Sequence, residues 1–368
     1  MNALKAPYPY FGGKSRIAGR VWEILGPVHR YIEPFFGSGA VLLNRPDWRP
    51  GERNEIVNDF DCMIANFWRA VKFDPAGVAE WADWPVNHAD LAARRNYCLS
   101  HKPEVQKMVT LDPEWYDAKI AGYWCWGMSC SIAGCFMDQS QNAAAKKAAD
   151  TLGSIPEIVV ERGALSAPSA IPSLRDSMGV ALKNIPVEFS GGIPFLHHTM
   201  GVPTSDPTHR PIPSLTATQG LHTAGGGVLA WMCALQNRLR TVKVVCGDWS
   251  RVLGGNWQGD GGTCGIFLDP PYGGDTAHSE VYAHDSTTVA GDVRAWCIKR
   301  GNDPNLRIIL CGYGEEHDEL LDHGWRKEAW KANGGYGNQR KDGTNDNCEK
   351  ERMWISPACV GKRSQSLF

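Results

Sequence analysis

The stretch Y-I-E-P-F-F-G-S-G-A-V-L-L-N (31–44) decides the fold. Y-I-E-P-F (31–35) is a short β-type run, F-G-S-G (36–39) is a glycine turn, and A-V-L-L-N (40–44) is the helix leaving it. Just before it, S-R-I-A-G-R-V-W-E-I-L (15–25) sets Ile17, Val21, Ile24 and Leu25 on one helical face. Just after it, N-E-I-V-N-D (54–59) is a second strand ending on an acid. Residues 60–72 then place Met63, Ile64, Phe67, Trp68 and Val71 at helical spacing. The order strand, turn, helix, strand, helix begins an α/β domain built on a parallel sheet.

Beyond residue 72 the pattern dissolves. Residues 75–150 read as mostly helical and rich in Trp and Ala. Residues 151–228 are crowded with Pro, Gly, Ser, Thr and His, too many breakers for long helices or central strands. So long a stretch without regular structure is a binding loop or linker. The α/β pattern resumes with a helix at 229–240 and strands at 242–248 and 265–272. A helix at 289–300, a strand at 306–313 and a helix at 315–324 follow, then β-type runs at 325–330 and 351–356. Residues 1–72 and 229–368 therefore form one domain, interrupted by an insertion at 73–228.

Composition narrows the classes. A chain of 368 residues makes one large domain or two modest ones. With 43% hydrophobic and 21% charged residues it can bury a core. A net charge of −2 argues against a polycation that coats nucleic acid, so any such contact needs a local basic patch. No run is apolar enough to span a membrane, and the start M-N-A-L-K-A-P-Y-P-Y lacks a signal-peptide core. The twelve cysteines are scattered, as expected of reduced thiols in a cytoplasmic protein. Cys125, Cys130 and Cys135 stand too far apart for a zinc knuckle and read as buried fillers. No metal is expected.

Three motifs carry chemistry. In E-P-F-F-G-S-G (33–39), Gly37 and Gly39 let a ligand approach the backbone at a helix start. Leu42 stands where a dinucleotide fingerprint needs Gly or Ala, so an adenosine ligand without pyrophosphate fits better. Asp59 ends the next strand about 20 residues on, where an acid binds ribose hydroxyls. Asp61 competes for that role. In D-P-P-Y (269–272), two prolines fix the backbone and remove two N–H donors. The Asp269 carboxylate and the Pro270 carbonyl supply two acceptors, and Tyr272 supplies a ring face. Together these suit an exocyclic amino group on a flat aromatic ring. In P-Y-F-G-G-K (9–14), a glycine pair brings the backbone close and Lys14 adds a cation near the sheet end.

Together these stretches resemble the Dam-type (alpha-group) adenine-N6 DNA methyltransferases, in particular phage and prophage members. That family carries an aromatic-x-G-G-K segment, an acid-P-F-x-G-x-G loop and DPPY after an insertion. The tail E-K-E-R-M-W-I-S (349–356) resembles its closing strand, and G-D-W-S-R-V-L (247–253) and L-C-G-Y (310–313) also look familiar. Tyr10 stands where the family often has Trp. The resemblance implies a Rossmann-like S-adenosylmethionine-dependent sheet with an inserted target-recognition region. It implies that Tyr10 and Lys14 line the S-adenosylmethionine pocket, and that Glu33, Phe35, Gly37 and Gly39 cradle the methionine part. It implies that Asp59 holds the ribose, Asp248 and Trp249 lie near the adenine, and Asp269, Pro270 and Tyr272 hold a flipped target adenine. Asp269 thereby borders the cofactor as well. The implied partner is double-stranded DNA, with no membrane, and a monomer or weak dimer in the cytoplasm of a bacterial or phage-infected cell.

Within the insertion, Arg94, Arg95, Lys102, Lys107, Lys119, Lys146 and Lys147 are candidates for phosphate contacts. His197, His198, His209, Arg210 and His222 sit among glycines and prolines, and Arg340 and Lys341 lie in a polar loop. Alternatives are an amino-methyltransferase acting on RNA or on a protein side-chain amide, and a non-catalytic DNA-binding relic.

Overall fold

The computed structural model describes residues 4–10, 13–46, 48–49, 54–131, 136–137, 227–254, 262–271, 286–330 and 351–360. All of them fall in a compact unit made of 1–137 and 205–368. Residues 151–226, Cys135, Lys146, Lys147, Tyr272, Arg340 and Lys341 lie outside the described residues.

The helix α1 (Ala18–Leu25) buries the expected face, with Val21, Ile24 and Leu25 fully covered. Strand β1 (Arg30–Glu33) stops where Pro34 removes a ladder donor. A one-turn helix α2 (Ala40–Leu43) and strand β2 (Glu55–Asp59) follow. Helix α3 (Cys62–Phe73) begins where the Asp61 carboxylate accepts from the Met63 N–H, a conventional N-cap. Next come α4 (Pro75–Ala82), α5 (His88–Leu111) and α6 (Ala118–Cys130). Asn66 on α3 holds the backbone of Asp117 by both its N–H and its carbonyl, so α6 starts docked on α3. Helix α7 (Gly227–Leu239) leads into β3 (Lys243–Cys246), a 3-10 turn at Trp249–Val252 and β4 (Cys264–Leu268). Helix α8 (Ser286–Arg300), β5 (Leu306–Tyr313), β6 (Arg326–Ala329) and β7 (Glu351–Ile355) complete the unit.

The seven strands form one sheet in the order β3-β2-β1-β4-β5-β7-β6. The first five run parallel, whereas β7 is antiparallel to both β5 and β6. Side chains alternate between two buried clusters, as strand geometry requires. Tyr31, Val57, Phe267 and Ile309 point to one, with α1, α3 and α7. Ile32, Ile56, Ile266, Ile308 and Trp354 point to the other, with Val293 and Cys297 of α8. Both faces are therefore covered, which is why these strands read as continuous apolar runs. An aromatic knot of Tyr8, Phe67, Trp68 and Trp124, with centroids 4.8–6.1 Å apart, closes the first cluster. Helices α4, α5 and α6 pack in that same cluster.

Two readings need correcting. The segment 315–324 is not an α-helix but a short 3-10 segment at Asp318–His323. His317 gives it no side-chain cap, and left-handed Gly324 closes it after six residues. Arg94 does not face solvent. It is buried, donates to the Trp81 carbonyl and lies 4.4–5.2 Å from the ring centres of Trp84, Tyr123 and Trp126. Lys119 is likewise set against Trp81, Tyr97 and Tyr123. Both cations serve packing by cation–π contact, which the bare charge pattern did not reveal.

Candidate active site

Strand order reverses between β1 and β4, and ligands in open α/β sheets sit at the carboxyl ends of strands flanking such a point. The two strands pair directly, with Tyr31 opposite Gly265 and Ile32 opposite Ile266. The 34–39 turn and the 269–271 turn therefore leave neighbouring strands at the same end. Asp59 ends β2, the next strand over.

The glycine turn is pinned on every side. Gly37 has φ 47° and Gly39 has φ 64°, both in the left-handed region that favours glycine. The Gly37 N–H donates to Asp59 Oδ2 at 2.8 Å. Its carbonyl accepts from the Tyr8 hydroxyl and from Trp68 Nε1, both at 3.0 Å. A Cβ on Gly37 would stand 2.6 Å from the Tyr10 ring. Gly37→Ala should therefore cost at least ~1–2 kcal/mol for the left-handed backbone alone. The check is a lowered Tm in thermal unfolding; an unchanged Tm would show that the turn is not held this way.

Asp59 is more than a strand terminus. Its Oδ1 accepts from the Asp61 N–H at 2.9 Å, so each oxygen already holds a backbone donor. A carboxylate has about four acceptor sites, which leaves room for two hydroxyls. Burial pushes its pKa up to about 7, opposed by the N–H groups of Gly37 and Asp61. Phe60, beside it, is 56% exposed and offers a ring face that the sequence reading passed over. The signal was an aromatic set between two acids, where no helical face had begun.

Glu33 is buried and accepts from the Tyr31 hydroxyl at 2.9 Å. Burial holds its carboxyl well above the usual range, and the charges of Asp269 and Asp59 add to this. Phe35 stacks on Trp249 with centroids 6.4 Å apart. Trp249 is itself core, edge-on to Trp296, while exposed Asp248 caps the 3-10 turn through Ser250. Gly247, just before them, donates to the Asp59 carbonyl at 3.1 Å, which ties this turn to the end of β2.

Lys14 is buried, with its Nζ 2.8 Å from Asp269 Oδ2. Tyr10 and Gly13 form the turn that carries it, closed by the Gly13 N–H on the Tyr10 carbonyl. Burial draws the ammonium pKa down, but Asp269 and Glu351 outweigh it, so the lysine stays charged. Glu351, the first residue of β7, stands 3.7 Å from the same ammonium. Sequence reasoning missed it, because only the antiparallel course of β7 brings its first residue to this end.

The structure thus brings Tyr10, Lys14, Glu33, Gly37, Gly39, Asp59 and Asp269 to one end of the sheet. Pro270 follows Asp269 and is buried. Among the described residues no group of three His, Cys, Asp or Glu side chains is placed to hold a metal. Cys125 and Cys130 are buried free thiols on α6, and burial pushes the Cys130 thiol up to about 12. No described helix is long and apolar enough to cross a membrane.

The crevice suits a cationic adenosine ligand. It holds the carboxyl groups of Glu33, Asp59, Asp269 and Glu351 against one lysine that is already paired, and its glycine turn is packed under the Tyr10 and Phe36 rings so closely that a Cβ on either glycine would collide. No curated protein matches the chain. Residues 10–107 match the family model of the D12 class N6 adenine-specific DNA methyltransferases, a stretch running from Tyr10 through the glycine turn and Asp59 into α5. On that match the chain is an S-adenosylmethionine-dependent adenine-N6 DNA methyltransferase.

Proposed function

We propose that the crevice at the ends of β1, β2 and β4 is the methyl-transfer site, with cofactor and target base side by side. The observation that supports this most is the direct pairing of β1 with β4, which sets the 34–39 and 269–271 turns next to each other. The sheet is then a Rossmann-like methyltransferase core. Its catalytic domain comprises 1–72 and 229–368, and 73–228 is an inserted DNA-recognition region.

In this reading the Asp59 carboxylate holds the ribose and Phe60 covers the adenine. Tyr10, Glu33, Phe35 and the Gly37–Gly39 turn hold the methionine part, and Asp248 and Trp249 close the adenine side. Bound there, S-adenosylmethionine supplies a methyl group already activated on a sulfonium. The Asp269 carboxylate and the Pro270 carbonyl accept the two N–H bonds of the target amine. That draws its lone pair out of conjugation with the ring. The amine proton that is shed passes to the Asp269 carboxylate. No covalent link to the enzyme is needed, and preorganised acceptors provide the rate. A duplex buries N6 in its stack, so the base flips out, at a cost of a few kcal/mol. Tyr272 recovers part of it by stacking, about 1–3 kcal/mol. The enzyme is cytoplasmic and acts as a monomer or weak dimer on double-stranded DNA.

Calorimetry with S-adenosylmethionine tests the cofactor half. Asp59→Ala should weaken binding strongly, and equal affinity in the variant would remove Asp59 from the site. The same titration has a pH signature. The Asp59 pKa is raised to about 7, so the carboxyl is neutral below that pH and anionic above it. A cationic ligand favours the anion. Affinity should therefore rise roughly tenfold from pH 6 to pH 8, with proton release on binding. Stability of the free protein runs the other way. The raised pKa favours the fold most below pH 4, and that share is lost as pH climbs through 7.

A further inference from the structure

We infer that Glu351 is a positioning residue for methyl transfer, fixing the Asp269 carboxylate through the Lys14 ammonium. The inference rests on the role given above to Asp269. Glu351 begins β7, which among the described strands runs against the parallel set, and pairs with Tyr313 at the end of β5. Its side chain is only 8% exposed, and among the described residues Oε2 finds no hydrogen-bond partner, although it lies 3.7 Å from Lys14 Nζ. A buried carboxylate oxygen without a hydrogen bond is costly to the fold alone. Arg352, next along β7, donates to the Glu351 carbonyl and so holds its backbone.

One ammonium thus stands between two carboxylates, and the Trp330 ring lies 5.7 Å from it. With both anions present, Lys14 is fixed at one point and its charge is divided. Asp269 is then gripped at Oδ2 while its basicity is only partly drawn off. With Glu351 neutral, more of the Lys14 charge falls on Asp269 and quenches it as an acceptor. The groups facing Glu351 are Lys14 from the N-terminal segment, Asp269 from the end of β4, and Cys311 and Tyr313 from β5. Burial pushes Glu351 up to about 7, with Asp269 adding and Lys14 opposing. Its charge therefore changes near neutrality.

The test is kcat for methyl transfer to DNA at saturating S-adenosylmethionine between pH 6 and pH 8, in wild type, Glu351→Gln and Asp269→Ala. Saturation removes the contribution of Asp59 to cofactor binding. Wild type should lose activity as pH falls through 7. Glu351→Gln should lose ~10²-fold in kcat at pH 8, the scale of a small misplacement of a reacting group. It should show no acid limb there, and its cofactor affinity and Tm should stay near wild type. Wild-type kcat in Glu351→Gln, or an unchanged acid limb, would overturn the inference alone. So would a loss of kcat matched by a loss of cofactor binding and Tm, which marks a structural role. Full turnover in Asp269→Ala would overturn the reading beneath it as well.

Discussion

Asp269→Ala should lose about 10²–10³-fold in kcat, the effect of deleting one preorganised polar group at a reacting centre. S-adenosylmethionine binding should change little, because the glycine turn and Asp59 come from β1 and β2 and do not depend on this side chain. The variant should also fold. Lys14 would lose its 2.8 Å partner but keep Glu351 at 3.7 Å, so the buried ammonium is not stranded. Binding and turnover must therefore separate. If both fell together, Asp269 would belong to the cofactor pocket, and if neither fell, the crevice would not be the site of transfer.

Arg238→Ala should produce the largest loss of stability, about 3 kcal/mol or more. Arg238 ends α7, the helix that carries the chain back to the sheet. Its guanidinium grips Glu55, at the start of β2, in a bidentate pair at 2.6 and 2.8 Å and also donates to the Leu42 carbonyl. Arg45 shares the same carboxylate at 3.0 Å. All three charged heads are buried, so removing Arg238 leaves Glu55 in low dielectric with only half its compensation. Denaturant unfolding should show the midpoint fall with an unchanged slope. A shift of only a few tenths of a kcal/mol would mean that water reaches the site.

The sheet was legible because each strand carries its own local signal. Y-I-E and N-E-I-V-N-D both end on an acid just before the chain turns, and the two acids are near enough for the Asp59 charge to act on Glu33. The nearness of Glu33 and Asp269 could be inferred only from fold-level analogy, since parallel neighbours leave no mark on each other's sequence. Three features were not legible for the same reason. Lys14 meets Asp269 and Glu351 across most of the chain, Arg238 meets Glu55, and Arg94 enters its aromatic cage. In each case a charged residue usually reads as surface, and only tertiary structure supplies the partner. The 315–324 segment failed differently. It read as a helix, but with only Leu320 and Leu321 to bury it was too short and uncapped to form one.

The most direct measurement is nucleoside mass spectrometry of duplex DNA from a methylation-free host after incubation with the purified protein and methyl-labelled S-adenosylmethionine. RNA and a glutamine peptide serve as parallel substrates. The account predicts labelled N6-methyldeoxyadenosine in the DNA arm, formed about 10²–10³-fold more slowly by Asp269→Ala. Label confined to RNA or peptide, or an unlabelled DNA arm with cofactor demonstrably bound, would contradict it.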